Sequence, residues 1–239
     1  MSYTNKYNKN IIIALDFTDK TQACNFTKKL DPSLCRVKVG KALFTTAGPD
    51  FVKYLQDLGF DIFLDLKFHD IPNTVETACI ACANLGVWML TVHTAGGLEM
   101  LMAARKGVEA GGQSTPLIMG VTVLTSIAED MLPTIGVNNN LNDQVLLLAG
   151  LAVDANLDGV VCSALEVRLI KTKYQDQLKL LTPGISLTEN HLINYDQKRV
   201  MTPTEAMKAG SDYLVIGRAI TKAQDPTSVL ESIILGINK

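Results

Sequence analysis

The stretch DLKFHDIPNT, residues 65 to 74, places two acids and a base, Asp65, Lys67 and Asp70, within six positions, and it follows the apolar run FDIF. Unpaired charge at the end of a buried strand is costly, so these groups are expected to pair with one another or to serve chemistry. Side chains alternate along a strand, which predicts that Asp65 and Lys67 point to the same side. An ammonium beside carboxylates could stabilise a developing negative charge or donate a proton.

The segment after the charged cluster predicts a short, stiff turn. Pro72 biases Ile71 toward an extended conformation, and Asn73 is predicted to cap a helix, with Glu76 placed to complete a capping box. Such a turn would aim Asp70 in a fixed direction beyond its own strand. A purely structural ion-pair network is the alternative interpretation of these charges.

Short β-rich runs alternate with helix-like stretches along the whole chain, which predicts an α/β protein with a (β/α)8 TIM barrel. Eight such units fill 239 residues, and no G-x-G-x-x-G follows the first strand, so a doubly wound open sheet is the weaker alternative. Without a linker or low-complexity segment, we expect one barrel domain over 1–239 with a polar lead of about 1–9. The predicted strands are IIIALDF (11–17), CRVKVG (35–40), FDIFLDLKF (60–68), VWMLTVH (87–93), PLIMGVTVL (116–124), GVVCSA (159–164), LKLLTPGI (178–185) and DYLVIGRAI (212–220).

Polar residues recur at the carboxyl ends of these predicted strands, the end at which TIM barrels carry their active sites. Each of them alone is explained by a salt bridge or a cap, but their convergence on one rim predicts a functional site. The rim residues are Asp16, Lys38, Asp65, Lys67, His93, Thr125, Ser126, Gly217 and Arg218.

Composition excludes several classes of partner. A net charge of −2 and a pI of about 5.9 give no electrostatic footprint for nucleic acid. No apolar stretch reaches the ~18 residues of a membrane span, and MSYTNKYNKN lacks the apolar core of a signal peptide, so we expect a cytoplasmic protein. Cys79 and Cys82 form a C-x-x-C inside a predicted helix, with no second pair to complete a metal site, which favours packing residues.

DLKFHDIPNT resembles the signature of the orotidine 5′-phosphate decarboxylase family. The pieces ALDF, RVKVGKALF, VTVLTS, TPGI and DYLVIGRAIT resemble that family's strands 1, 2, 5, 7 and 8, in the right order. The resemblance implies conversion of orotidine 5′-monophosphate to UMP and CO₂, the last step of de novo pyrimidine nucleotide synthesis. It also implies that no metal and no organic cofactor takes part.

The resemblance also implies roles for the charged residues. Lys67 would stabilise the carbanion at C6 of the pyrimidine and donate the proton that completes UMP. Asp65 and Asp70 would flank its ammonium. Lys38 would extend this charge network and, with Asp16, reach the ribose hydroxyls.

Further substrate contacts and a subunit interface are implied in the same way. Gln197, Gly217 and Arg218 would hold the phosphate, while Thr125 and Ser126 would read the pyrimidine edge. A homodimer is implied in which Asp70, Ile71 and Thr74 complete the partner's site. The chain departs from the family at Ser186, where an arginine usually follows the strand 7 Gly-Ile, so no ligand contact is assigned there.

Two rival functions remain open at this point. Metal-dependent sugar-phosphate decarboxylases or aldolases on related barrels also carry D-x-K-x-x-D, but the continuation IPNT argues against them. A non-catalytic barrel that binds a phosphate ligand is the other rival, and the presence of all four charges of the network argues against it.

Overall fold

Eight parallel strands close into a barrel in the described part of the chain, with each strand paired to the next and β8 paired to β1. The computed structural model describes residues 9–187 and 201–238. The predicted (β/α)8 barrel is confirmed, and the doubly wound sheet is wrong. The strands are β1 Ile11–Ala14, β2 Arg36–Gly40, β3 Ile62–Phe68, β4 Met89–His93, β5 Leu117–Val121, β6 Gly159–Val161, β7 Lys179–Thr182 and β8 Tyr213–Ile216.

Helices connect the strands and cover the barrel, and local capping explains where several of them begin. Asp19, Asn140 and Asp225 each accept a backbone N–H at the start of a helix, and Thr202 forms a capping box with Glu205. Among the described residues no helix is both long enough and apolar enough to cross a membrane. The α-helices are α1 Lys20–Thr27, α2 Lys41–Asp57, α3 Pro72–Asn84, α4 Leu98–Ala110, α5 Leu141–Asp154, α6 Val167–Tyr174, α7 Pro203–Ala209, α8 Arg218–Thr221 and α9 Pro226–Ile237.

The start of α3 differs from the prediction. Pro72 is the first helical residue and Ile71 is the N-cap, without a side-chain cap. Asn73 therefore lies inside the first turn, and Glu76 pairs with Lys106 at 2.8 Å instead of closing a capping box. The predicted capping box is wrong because a proline, with its fixed φ and no N–H to satisfy, is itself a strong first helical residue.

Apolar side chains fill both the barrel interior and the space between strands and helices, which is why the strands are nearly continuous apolar runs. At the amino-terminal end of the barrel, the guanidinium of Arg36, the first residue of β2, lies 4.0 Å from the centre of the Trp88 ring and pairs with Asp61. The opposite end carries the charged residues. The interior apolar cluster contains Ile12, Ala14, Phe63, Met89, Met119, Leu181 and Val215.

Several strands end earlier than their apolar runs predict. The ladder of β1 stops at Ala14, that of β5 at Val121 and that of β8 at Ile216. Leu15 and Val123 remain buried beyond the ends of their strands. The runs extend past the ladder because burial, which hydrophobicity reports, continues into the loops above the barrel.

Candidate active site

A cavity of about 260 Å³ opens at the carboxyl ends of β1, β2 and β3. Its wall includes five charged residues, Asp16, Lys38, Lys41, Asp65 and Lys67. This is the end of the barrel at which TIM-barrel enzymes place their active sites. Of the rim residues predicted from the sequence, Asp16, Lys38, Asp65 and Lys67 therefore share one cavity, and Arg218 does not line it.

Asp16, Lys38, Asp65 and Lys67 form a connected array of ion pairs. Nζ of Lys67 lies 2.7 Å from Oδ1 of Asp65, and Nζ of Lys38 lies 3.4 Å from Oδ2 of the same carboxylate. Lys38 also lies 3.4 Å from Oδ1 of Asp16. Asp65 is only 8% exposed, whereas the side chain of Asp16 is 62% exposed, so the array runs from the barrel interior to the solvent.

The environment of Asp65 keeps its carboxylate ionised. Burial by itself would raise the pKa of Asp65, but the charges of Lys38 and Lys67 and the hydrogen bonds from Lys67 and Thr91 lower it below its usual value. A buried charge with a cation on each side is stable only while those partners are present. Asp65 thus acts as a fixed negative centre that holds two ammonium groups at the cavity wall.

Lys67 reaches this position through an irregularity in β3. Leu64 pairs with Leu90 and Phe68 pairs with Val92, so the intervening residues of β3 bulge out of the ladder. Lys67 has a φ of 52°, a left-handed conformation that costs a non-glycine residue roughly 1–3 kcal/mol. Its backbone N–H donates to Oγ1 of Thr91 at 2.9 Å. The sequence does not identify Thr91, although it is a polar residue within the apolar run MLTVH.

Within one chain, Asp70 is not part of the array. Its Oδ1 accepts the N–H of Ile71 at 2.7 Å, and it forms no ion pair with any described residue. Asp70, Ile71 and Thr74 are all exposed, and Ile71 is 67% exposed. The predicted four-residue network is therefore present as far as Lys38, Asp65 and Lys67, with Asp16 in addition.

The end of β8 lies beside β1 at the rim. A Cβ added to Gly217 would lie 3.4 Å from Oδ2 of Asp16, so the backbone at Gly217 approaches the edge of the array closely. Arg218 is the first residue of α8 and is exposed. Thr125 and Ser126 lie in the loop after β5 and do not line the cavity.

Two predictions concern the segment after β7. Ser186 donates its N–H to the carbonyl oxygen of Met201 at 3.0 Å, and Ile185 pairs with Met201, so the two ends of this segment lie side by side. Gln197 lies outside the described residues. Its predicted contact with phosphate stays a prediction.

His93, at the end of β4, faces the same charged region. Burial lowers the pKa of His93 to about 4, helped by the charges of His69, Lys41 and Lys67 and opposed by Asp65. Its ring centroid lies 5.4 Å from that of His69. At neutral pH His93 is a neutral residue beside the array.

Cys79 and Cys82 of the C-x-x-C lie on α3 and pack into the hydrophobic core. Both thiols are buried, and burial raises the pKa of each to about 12. In residues 9–187 and 201–238 no cluster of three or more His, Cys, Asp or Glu residues has the arrangement of a metal site.

A closed (β/α)8 barrel whose carboxyl-terminal mouth carries alternating lysine and aspartate side chains defines the class of the protein, an enzyme of the TIM-barrel type. Comparison with known proteins then gives the family. Over residues 9–233 the chain matches the model of the Orotidine 5′-phosphate decarboxylase / HUMPS family, and it belongs to that family. The resemblance carried by DLKFHDIPNT is confirmed.

Relatives cover almost the full length of the chain. It is 52% identical over 225 residues to the orotidine 5′-phosphate decarboxylase of Pseudoalteromonas translucida, covering 94% of this chain and 95% of the relative. It is 53% identical over 223 residues to that of Actinobacillus pleuropneumoniae, covering 93% and 96%. The crystal structure of orotidine 5′-phosphate decarboxylase from Lactobacillus acidophilus superposes with a TM-score of 0.87 at 40% identity, covering 97% of this chain and 100% of that one.

Proposed function

We propose that this chain decarboxylates orotidine 5′-monophosphate to UMP and CO₂, the final step of de novo pyrimidine nucleotide synthesis. One observation carries the proposal: an ammonium, that of Lys67, lies 2.7 Å from a buried carboxylate at the mouth of the barrel. Relatives more than half identical to the chain over nearly its whole length are named for this reaction.

In the proposed reaction the bond between C6 of the pyrimidine and its carboxylate breaks, and CO₂ leaves without the bonding electrons. The electron pair stays on C6, where no adjacent group can delocalise it. The ammonium of Lys67 stabilises this charge and then transfers a proton to C6, which completes UMP. Lys67 recovers its proton from solvent before the next turnover.

Asp65 and Lys38 hold the reacting lysine in place. Asp65 fixes the Lys67 ammonium from the side of the barrel interior. Lys38 forms an ion pair with the second oxygen of the same carboxylate and so helps to compensate its buried charge. Lys38 and Asp16 lie at the more exposed end of the array, which suits hydrogen bonds to ribose hydroxyls. In this proposal Asp65 also lies against the substrate carboxylate and becomes less crowded as CO₂ departs.

The size of the barrier shows that Lys67 does not act alone. Enzymes commonly lower reaction barriers by about 8–23 kcal/mol. One charge pair at 4 Å contributes roughly 4 kcal/mol at an effective dielectric constant of 20. The remainder must come from preorganisation of the array and from binding energy at parts of the substrate remote from C6.

The phosphate of the substrate is the natural source of that remote binding energy. We assign its contacts to Gly217 and Arg218, since TIM barrels often grip phosphate near the end of strand 8, and arginine offers a fork of donors to phosphate oxygens. Gly217 lies beside Asp16, which we assign to the ribose, so a phosphate carried by that ribose would be within its reach. Gln197 is proposed as a further phosphate contact, and Thr125 and Ser126 as readers of the pyrimidine edge.

We also propose that the enzyme is a homodimer with shared active sites, in which Asp70, Ile71 and Thr74 complete the partner's site. The exposure of all three residues, and an apolar side chain 67% exposed at Ile71, support such an interface. The Asp70 carboxylate lies on a turn fixed by Pro72 and has no cation partner among the described residues of its own chain.

The test is direct mixing of purified protein with orotidine 5′-monophosphate. We expect the orotidylate absorbance to fall while UMP and CO₂ form in equal amounts, at a rate that EDTA does not change. A protein that leaves orotidine 5′-monophosphate intact contradicts the proposal. Turnover that EDTA abolishes and a divalent cation restores would instead support the metal-dependent rival.

A further inference from the structure

We propose that Thr91 is a positioning residue for the reaction: its hydroxyl fixes the backbone of Lys67 and the carboxylate of Asp65 at the same time. The effect on turnover that we expect from this inference rests on the proposed function. It concerns a buried residue of β4 that contacts two residues of the cavity wall, Asp65 and Lys67, and it starts from the irregular pairing of β3 with β4.

Thr91 lies opposite the bulge. Leu64 is paired with Leu90 and Phe68 with Val92, so Thr91 alone on β4 faces residues 65–67 on β3. Regular pairing would give one residue of β3 for each residue of β4. The extra residues of β3 cannot all pair with backbone groups of β4, so a side chain provides a hydrogen-bond acceptor that the ladder lacks.

The hydroxyl of Thr91 is this acceptor. Oγ1 accepts the backbone N–H of Lys67 at 2.9 Å and donates to Oδ1 of Asp65 at 3.1 Å. The same Asp65 oxygen receives the Lys67 ammonium at 2.7 Å. Thr91 therefore closes a ring with both ends of Lys67, its backbone and its ammonium, through a single carboxylate oxygen.

This ring explains how Lys67 keeps an unfavourable backbone conformation. A φ of 52° persists in a residue with a Cβ only where surrounding contacts over-determine it. The hydrogen bond to the Lys67 N–H is such a contact, and its acceptor is held in the core because Thr91 is 0% exposed. The same burial means that Thr91 does not touch a substrate, so any effect on turnover passes through Lys67 and Asp65.

The decisive variants differ at one atom or group. Thr91→Val keeps the shape of the side chain and removes the hydroxyl, whereas Thr91→Ser keeps the hydroxyl. Thr182→Val is the matched control, because Thr182 is also a completely buried strand threonine, and its hydroxyl bonds to Ser211 and to the carbonyl oxygen of Tyr213 instead. Thr91→Ala replaces Thr91→Val if the valine variant does not fold.

For folded Thr91→Val we expect kcat to fall about 10- to 100-fold, the scale of a sub-ångström to ångström displacement of a catalytic group, with KM nearly unchanged. Thr91→Ser should stay within about threefold of wild type, and Thr182→Val should keep wild-type kcat whatever its loss of thermal stability. The inference is overturned if Thr91→Val keeps wild-type kcat, if Thr91→Ser is as impaired as Thr91→Val, or if Thr182→Val loses as much activity.

A second measurement separates this inference from the proposed function. Amide exchange at Lys67, followed by NMR, should be slow in wild type and Thr91→Ser and faster in Thr91→Val, because only the valine variant lacks the acceptor. An inactive wild-type protein would contradict the proposed function. Amide exchange at Lys67 would then still test whether Thr91 holds the backbone of Lys67. Equal exchange rates in all three proteins would show that Thr91 does not hold Lys67.

Discussion

Nζ of Lys38 lies 3.4 Å from Oδ2 of Asp65, so that this buried carboxylate has an ammonium at each oxygen, with Lys67 at Oδ1. A carboxylate held between two cations is a rigid reference point, since moving either lysine leaves buried charge uncompensated. The array therefore acts as a unit, and we expect the enzyme to lose most of its activity when any one of these charged side chains is replaced.

Lys67→Ala should abolish formation of UMP, because it removes both the cation beside C6 and the proton donor. Turnover should be measured on protein shown to be folded by thermal unfolding. Lys106→Ala is the matched control: this lysine is 73% exposed, pairs with Glu76 on the surface and should be dispensable. Retention of more than about one hundredth of wild-type turnover by Lys67→Ala would contradict its assigned role, since loss of a single general acid costs at least that factor.

Arg218→Ala should lower kcat/KM for orotidine 5′-monophosphate about 10- to 100-fold, the scale of one lost hydrogen bond to a charged group. The unphosphorylated nucleoside, orotidine, has no group for this side chain to bind, so any activity toward it should barely change. Arg168→Ala, an exposed arginine on α6, serves as the control. Equal losses on the two substrates would place Arg218 away from the phosphate.

Mixing Lys67→Ala with Asp70→Asn should restore activity if the active site is shared between subunits. In a mixed dimer, one site collects both lesions, and the other combines an intact Lys67 with an intact Asp70. Random refolding makes about half of the dimers mixed, each with one good site, so about a quarter of wild-type activity should return.

The subunit exchange has its own control and its own contradicting result. Each variant refolded alone should stay inactive, and tagged subunits should verify that mixed dimers form. No recovery of activity despite mixed dimers would mean that Asp70 acts within its own chain.

The stability of the fold should depend on pH through His93. Its folded pKa of about 4 is below the ordinary value of 6.5, so the unfolded chain binds more protons than the folded one between these values. The free energy of unfolding should therefore decrease as the pH falls from about 6.5 to about 4, and His93→Gln should flatten that part of the curve. Denaturant unfolding over this range measures it.

Asp65 contributes to the stability of the fold over a different range of pH. Its folded pKa lies below 3.8, so its stabilisation is present above that value and is lost at lower pH. A decrease in the stability of wild type between pH 6.5 and 4 that His93→Gln leaves unchanged would show that another group is responsible.

Local patterns in the chain were enough to predict the barrel and the charged rim. Alternating apolar runs and helical stretches give the order of elements. Asp65 and Lys67 meet as expected, but they do so through the bulge in β3 and not through the regular side-chain alternation on which the prediction relied. Local reasoning failed where two local signals competed, as at the start of α3, where Pro72 at the first helical position overrides Asn73 as a cap.

The sequence alone determined which residue types are available for chemistry and near the end of which strand each one lies, because those properties follow from composition and short-range periodicity. Only the tertiary structure decided how they meet. The pairing of Lys38 with Asp65 and the bond from Lys67 to Thr91, 24 positions apart, depend on the register between neighbouring strands. Register in a closed barrel is set by the packing of all its strands together, and the left-handed backbone at Lys67 exists because that packing holds it.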